Sequence, residues 1–510
     1  MIANRRCRKA FPGMSAWLGA LLSVAAASPA QASATCDGDP AALDPAFRAA
    51  QMALTSRPSV ALDRTLALPD SERGEIRDLL AERDRLRAGI EAEDQPSRAL
   101  MEADTRLAAI EQDIGRRVPG LLDALAPDPL KIEQVQSGLG EGRVLLLYLE
   151  DEERSYGWAI TEDCAMWQVL EDFGREDSAP LVSRIRDRLV PGGAVLRGRS
   201  IAVEPRGTGN LDADLAQAHA AALAPFAALL EGKSEVLVHA EGNFLALPFP
   251  ALRASPEAGY LVDTHSVAWL PSLRSLAADP SDGAENRHAP RLLAVGAPSA
   301  FPETGTIPLA PLPGAERELA SLKRNYGANA RVLSGEEATE EKVSSALAGS
   351  DFDVVLFATH ALTGGVADGG LTGLALGPGA SPDAQGTDGL LAPVEIAGMP
   401  LDGKLAILAG CDTWAGEGGG AGEALTAISL AFLQAGARDL VVTHWPVVDG
   451  SAALWSQAML AQLASEPGDL AGAVRAGQLA LRNERAGRYD DPRHWAAYIP
   501  VVGGLAGQER

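Results

Sequence analysis

The sequence predicts an α/β protein with a mostly parallel sheet and helices on both faces. In its second half, short runs of Val, Ile and Leu at 292–295, 331–333, 354–357, 406–408 and 440–443 alternate with amphipathic stretches at 315–326, 340–347, 424–435 and 451–463. Runs this short and apolar are strands buried on both faces, and short connections between unlike elements make those strands parallel. The chain is also long, 510 residues with 46% hydrophobic, which is too much for one core and enough for two or three domains.

The elements before this half follow from local pattern. Residues 37 to about 130 read as helical: Ile76, Leu79, Leu86 and Ile90 recur at three-four spacing, as do Leu107, Ile110, Ile114 and Val118. Pro96 lies between the two runs and stops the first, which predicts an antiparallel helical hairpin. The charges Glu82, Arg83, Asp84 and Arg85 read as its solvated face. No repeat of fixed period is present. From Arg143 the texture turns to strands at 144–149, 156–160 and 166–170, the last two forming a hairpin around Glu162 and Asp163. A helix-rich stretch follows to Leu230, then strands at 236–239, 244–247 and 266–270. A segment rich in Pro, Asp, Gly and Asn, 279–290, reads as a linker to the second half.

Two of the predicted strands end in reactive side chains. The run at 354–357 leads into Ala358-Thr359-His360, and the run at 405–408 into Ala409-Gly410-Cys411-Asp412-Thr413. Open α/β sheets bind ligands beyond the carboxyl ends of their strands, so a thiol and an imidazole at equivalent ends suggest nucleophilic catalysis. A buried small thiol and a hydrogen-bonded loop histidine are the bland alternative. Context favours chemistry: a glycine-rich segment, 416–422, follows Cys411 and precedes a periodic helix, and backbone N–H groups of such a loop are what acyl transfer requires. A phosphate-binding loop is a poor reading of those glycines, because no Lys-Ser/Thr follows them.

These residues resemble the CHAT family, caspase-like cysteine peptidases related to separase. The resemblance rests on 352–360, 405–413 and 437–449, with further matches at Leu247-Pro248-Phe249, Leu312-Pro313-Gly314-Ala315-Glu316, Ala338-Thr339-Glu340 and His494-Trp495-Ala496-Ala497-Tyr498. It covers about 211–510. It implies a caspase-like catalytic subdomain at 291–510, preceded by an inactive caspase-like subdomain at 131–278 and a helical region at 33–130. It further implies a cysteine endopeptidase with a Cys411–His360 dyad and an oxyanion held by the N–H groups of Cys411 and Ala361. The substrate is then a protein or peptide, with room for an activating protein partner and no need of a cofactor. In separase an aspartate after the strand following the cysteine pairs with an arginine before the scissile bond. Asp449 stands at that place here, and Asp412 is a second substrate-binding candidate. Capping the helix that follows is the structural role open to Asp449. Two departures bear on activity: Ala361 replaces the family's usual glycine, and Trp414 is bulkier than the usual residue. A catalytically silent scaffold that binds partner proteins is the alternative function. His239 and Trp445 read as structural.

The N-terminus reads as a signal peptide over 1–32: Arg5, Arg6, Arg8 and Lys9, an apolar stretch over 14–27, then Ala30-Gln31-Ala32. An exported protein, periplasmic or secreted and without a membrane span, is expected. The mature chain would keep Cys36, Cys164 and Cys411. An odd count in an oxidising compartment leaves one cysteine that either pairs with another chain or is a reactive thiol, and a Cys36–Cys164 disulfide would leave Cys411 as that one. Cysteine and acidic spacing give no zinc or calcium signature, so no metal is expected. The formal net charge of −24 repels phosphate backbones and argues against nucleic-acid binding.

Overall fold

The computed structural model describes residues 33–34, 42–55, scattered positions between 79 and 113, then 129–189, 210–277, 290–302, 309, 311–363, 371–379, 387–409, 427–445, 447 and 449–503. The predicted signal peptide and nearly all of the linker lie outside them. Near Ile132 the chain divides into two compact units.

In the N-terminal unit, helix α1 (Asp44–Thr55) buries Phe47, Ala50 and Leu54. Its buried Gln51 bonds both backbone groups of one residue, donating to Leu130 O at 2.8 Å and accepting from Leu130 N–H at 2.9 Å, while Asp44 accepts from Ile132 N–H at 2.8 Å. The positions described at 79–86 and 105–113 are helical, and an Arg106–Glu82 ion pair at 2.6 Å ties the two runs together. The expected solvated face needs one correction, because Arg83 is buried. Consecutive residues on a helix point about 100° apart, so four charges in a row cannot all face solvent.

The second unit is built on a twelve-stranded sheet in the order β1-β4-β3-β2-β5-β6-β15-β14-β13-β9-β7-β8. Its first part comprises β1 (Ser33–Ala34), β2 (Arg143–Glu150), β3 (Ser155–Ile160), β4 (Ala165–Leu170), β5 (Glu235–Ala240) and β6 (Ser266–Trp269). The second comprises β7 (Leu292–Pro298), β8 (Ala330–Gly335), β9 (Val354–Ala358), β13 (Leu405–Leu408), β14 (Asp439–Thr443) and β15 (Tyr498–Val501). Strands β2, β5, β6 and β15 run parallel in turn, as do β14, β13, β9, β7 and β8. The antiparallel pairs are β2–β3, β3–β4 and β14–β15. The two halves therefore share one sheet, joined where Val501 of β15 pairs with Trp269 of β6.

Six longer helices accompany this sheet: α2 (Ile132–Leu139), α3 (Arg175–Leu189), α4 (Leu211–Ala222), α5 (Pro313–Tyr326), α6 (Glu340–Gly349) and α7 (Ala427–Gln434). Two more, α8 (Asp449–Ser465) and α9 (Leu470–Arg482), pack on each other, with the Trp455 ring stacked on Tyr498 at 3.9 Å and Gly477 leaving room for it. Side chains also bind the halves: Arg475 donates to the carbonyls of Val262 and Asp263 at 2.7 Å, Arg482 pairs with Asp263, and Tyr260 packs edge-on against Trp495 at 5.1 Å.

The strand expected at 244–247 is instead a 3₁₀ turn, Gly242–Ala246. Gly242 takes φ +67°, and Pro248 and Pro250 follow, so the chain cannot continue a ladder there. Phe244 still enters the core, stacked on Tyr148 at 4.3 Å. A second, three-stranded antiparallel sheet is formed by β10 (Ala361–Thr363), β11 (Thr372–Ala375) and β12 (Leu390–Leu391), all between His360 and Cys411 in sequence.

Candidate active site

Strands β9 and β13 are parallel neighbours with Phe357 opposite Leu408, and Ala409 N–H continues the ladder to Phe357 O at 3.0 Å. His360 and Cys411 each lie three residues beyond that pair. The offsets in sequence are thus equal, and among the described residues His360 stands just beyond the end of β9. Cys411 itself lies outside the described residues, as do Asp412 and the glycines from 416 to 422.

His360 is buried, and its surroundings are specific. Its carbonyl accepts from Ala375 N–H at 2.9 Å, Thr359 Oγ1 donates to Ala375 O, and the Phe301 ring meets the imidazole edge-on at 4.9 Å. Strand β11 therefore braces the segment carrying the imidazole. On the other side, β7 is bulged between Gly296 and Pro298. Gly296 packs against the end of β9 so closely that a Cβ there would lie 2.0 Å from Ala358 O. Next to it, Ala297 has φ +44°, the one non-glycine at positive φ among the described residues. Strained backbone of this kind costs about 1–3 kcal/mol and persists where surrounding structure enforces it, often at functional sites.

Ala361 begins β10 opposite Leu374. Because Ala375 N–H bonds His360 O, Ala361–Leu374 is a non-hydrogen-bonded pair, and the N–H of Ala361 points away from β11. The alanine does not sit at positive φ, so the lost glycine carries no backbone penalty here.

The CHAT-domain family matches residues 212–503. The chain belongs to the CHAT family. No curated protein matches it. Among solved structures, the Saccharomyces cerevisiae separase–securin complex aligns with 9% identity and a TM-score of 0.41, covering 96% of this chain and 40% of that one. A second separase–securin structure aligns at 12% identity and TM-score 0.35, covering 85% of this chain and 27% of the other. The Arg-specific cysteine proteinase gingipain R aligns at 10% identity and TM-score 0.36, covering 64% and 74% of the two chains. This chain thus spans less than half the length of the separase chains it matches.

In this CHAT chain the strand on the far side of β13 also ends in an imidazole. His444 follows β14, is buried, and receives Arg186 through its carbonyl at 3.4 Å; burial, with the Arg186 charge second, pushes its pKa well below the usual histidine range. It is a neutral side chain at neutral pH. Trp445 is fully buried, its Nε1 donating to Arg493 O at 2.8 Å. Asp449 opens α8, two residues before the expected helix start, so its backbone is already helical; its side chain lies outside what is described.

The first half of the sheet carries no comparable pair of reactive ends among the described residues. His239 bonds Leu270 O through Nδ1 at 2.8 Å, and burial lowers its pKa. At the end of β2, Glu150 accepts from Ser178 at 2.8 Å and from the Asn243 amide at 2.9 Å, a closed polar network. Cys164 is buried and disulfide-bonded. Its partner lies outside the described residues, as does Cys36, but β1 ends two residues before Cys36 and borders β4, which begins just after Cys164. Among the described residues no group of His, Cys, Asp or Glu converges to hold a metal ion, and no single helix is long and apolar enough to cross a membrane. Sequence reasoning missed Phe301, Gly296 and Ala297. The apolar run at 292–295 marked that strand, and nothing marked the bulge beyond it.

Proposed function

We propose that the chain is an exported cysteine endopeptidase. The observation that carries this reading is the equal offset of His360 and Cys411 beyond two adjacent, in-register parallel strands of a CHAT domain. The Cys411 thiolate attacks the scissile carbonyl to form a thioester. His360 protonates the departing amine and then takes a proton from the water that hydrolyses the acyl-enzyme. The oxyanion is held by the N–H groups of Cys411 and Ala361, a role the orientation of Ala361 supports. A thiol near its free pKa of about 8.5 is mostly protonated at neutral pH, so the neighbouring imidazole has to raise the thiolate fraction. Incubating the purified protein with a peptide library and sequencing the products tests this reading; no cleavage in any peptide, with intact protein and free thiol, would count against it.

Cleavage follows Arg, or secondarily Lys, with Asp449 as the carboxylate that receives the basic side chain and Asp412 as a second substrate contact. A carboxylate reads a guanidinium with two parallel hydrogen bonds. Truncating one partner of such a desolvated pair costs about 2–5 kcal/mol. Asp449→Asn should therefore cut cleavage of Arg-containing peptides about thirtyfold or more, while thiol alkylation is unchanged. Products ending in Asp, Asn or apolar residues from the wild type would leave Asp449 only as an acidic residue of the first turn of α8.

Export predicts oxidation. Non-reducing peptide mapping of the exported protein should give one linked pair, Cys36–Cys164, and one free thiol, Cys411. A Cys164 linked to any other cysteine would contradict the pairing.

A further inference from the structure

The hairpin that follows His360 is fastened to the start of α6 at two points. Gly377 N–H donates to Ala338 O at 2.7 Å, and Gly389 N–H donates to Oε1 of Glu340 at 2.6 Å. Gly389 in turn accepts from Leu376 N–H at 2.7 Å, closing the hairpin on itself, and takes φ +89° in a space that a Cβ would crowd. Two residues before Gly377, Ala375 holds both Thr359 and His360. The path from Glu340 to His360 thus runs through one side-chain hydrogen bond to Gly389, the Gly389–Leu376 backbone bond, the adjacent residue Ala375 and its bond to His360. His360 is buried, and the first strand of the small sheet begins at the next residue, Ala361.

The fastening residue is unusual. Glu340 is a first-turn helix residue, 3% exposed, and its second oxygen, Oε2, has no hydrogen-bond partner among the described residues. The charged groups that act on it are both acids: Glu395, and the exposed Asp388 next to Gly389 in sequence. Each of these already accepts a backbone N–H, Asp388 from Leu390 and Glu395 from Ala392, both at 2.8 Å. No cation among the described residues acts on Glu340 to offset them. A carboxyl buried beside other acids is favoured in its neutral form, because ionising it costs its solvation and adds repulsion from them.

We propose that Glu340 forms a proton-operated lock that holds the hairpin closed beside His360 in acid and releases it above neutrality. Burial, opposed by the Gly389 hydrogen bond and reinforced by Glu395 and Asp388, raises the Glu340 pKa from 4.5 to about 7. The sign follows. The closed form binds the proton more tightly than an open form with an ordinary carboxyl, so closure is favoured below about pH 4.5 and weakens as pH rises through about 7. That pair of values makes the opening equilibrium rise about tenfold between pH 6 and pH 8. Control of access to His360 rests on the peptidase reading; the lock itself does not.

Hydrogen exchange of the Leu376, Gly377 and Gly389 amides, corrected for intrinsic rates, tests the lock directly on the full chain. In the wild type their opening should increase about tenfold from pH 6 to pH 8. Glu340→Gln keeps the acceptor for Gly389 and cannot ionise, so its amides should stay protected with no pH rise. Asp388→Asn, which removes one neighbouring acidic group, should shrink the rise independently. A flat wild-type profile, or the full wild-type rise in either variant, overturns the proposal. Peptide cleavage measured on the same samples separates the two ideas: pH-dependent opening without any cleavage would keep the lock and discard the peptidase.

Discussion

Replacing Cys411 with Ala should abolish peptide cleavage, by about four orders of magnitude or more, while leaving the thermal unfolding transition within a degree or two of the wild type. The nucleophile forms the covalent bond, and nothing else in the site can substitute for it. His360→Ala should approach the same loss, since in such pairs removal of either member disables the unit and the effects do not add. The double variant should accordingly be no slower than the slower single one. Near-UV circular dichroism would check that β9 and β13 still pack. Cleavage persisting within tenfold of wild type in either variant would remove the dyad, whatever the fold.

The second large effect is structural. Gly296→Ala should destabilise the protein by about 3 kcal/mol, the upper end for overpacking, and depress cleavage with it. The added methyl would collide with the backbone of Ala358, not with a flexible side chain, so β7 and β9 must separate just where the chain leads to His360. Ala297→Gly is the informative contrast. It relieves a positive φ without adding an atom and should raise the denaturation midpoint slightly. Equal midpoints for Gly296→Ala and wild type in a urea titration would mean that the two strand ends do not approach as closely as the fold requires.

The strands of the catalytic half were legible because both their faces are buried: Leu405–Leu408 and Val354–Ala358 contain no polar residue, and nothing but a central parallel strand accommodates that. Their equivalence was legible too, since His360 and Cys411 follow their apolar runs at the same distance. Whatever depends on pairing across long separations was not. That β6 and β15 would join the halves into one sheet rests on a single Val501–Trp269 contact across more than two hundred residues, for which no local pattern exists. The hairpin after His360 was hidden because glycines interrupt its apolar alternation, while Gly389 supplies a positive φ and Gly373 a close strand approach. The 242–246 segment misled for the opposite reason: Phe244 and Leu245 are apolar because they fill the core, and periodicity cannot distinguish a buried turn from a buried strand. In the N-terminal unit, Arg83 shows how a run of charges hides one buried member.

The central claim is that His360 activates Cys411 for attack on a peptide carbonyl, and the rate of iodoacetamide alkylation at Cys411 as a function of pH tests it most directly. In the wild type, peptide mapping should locate the adduct on Cys411, with an apparent pKa clearly below the 8.5 of a free thiol, and His360→Ala should return that pKa to the free value. An unreactive Cys411 in the folded wild type, or a pH profile identical in the His360→Ala variant, would contradict it.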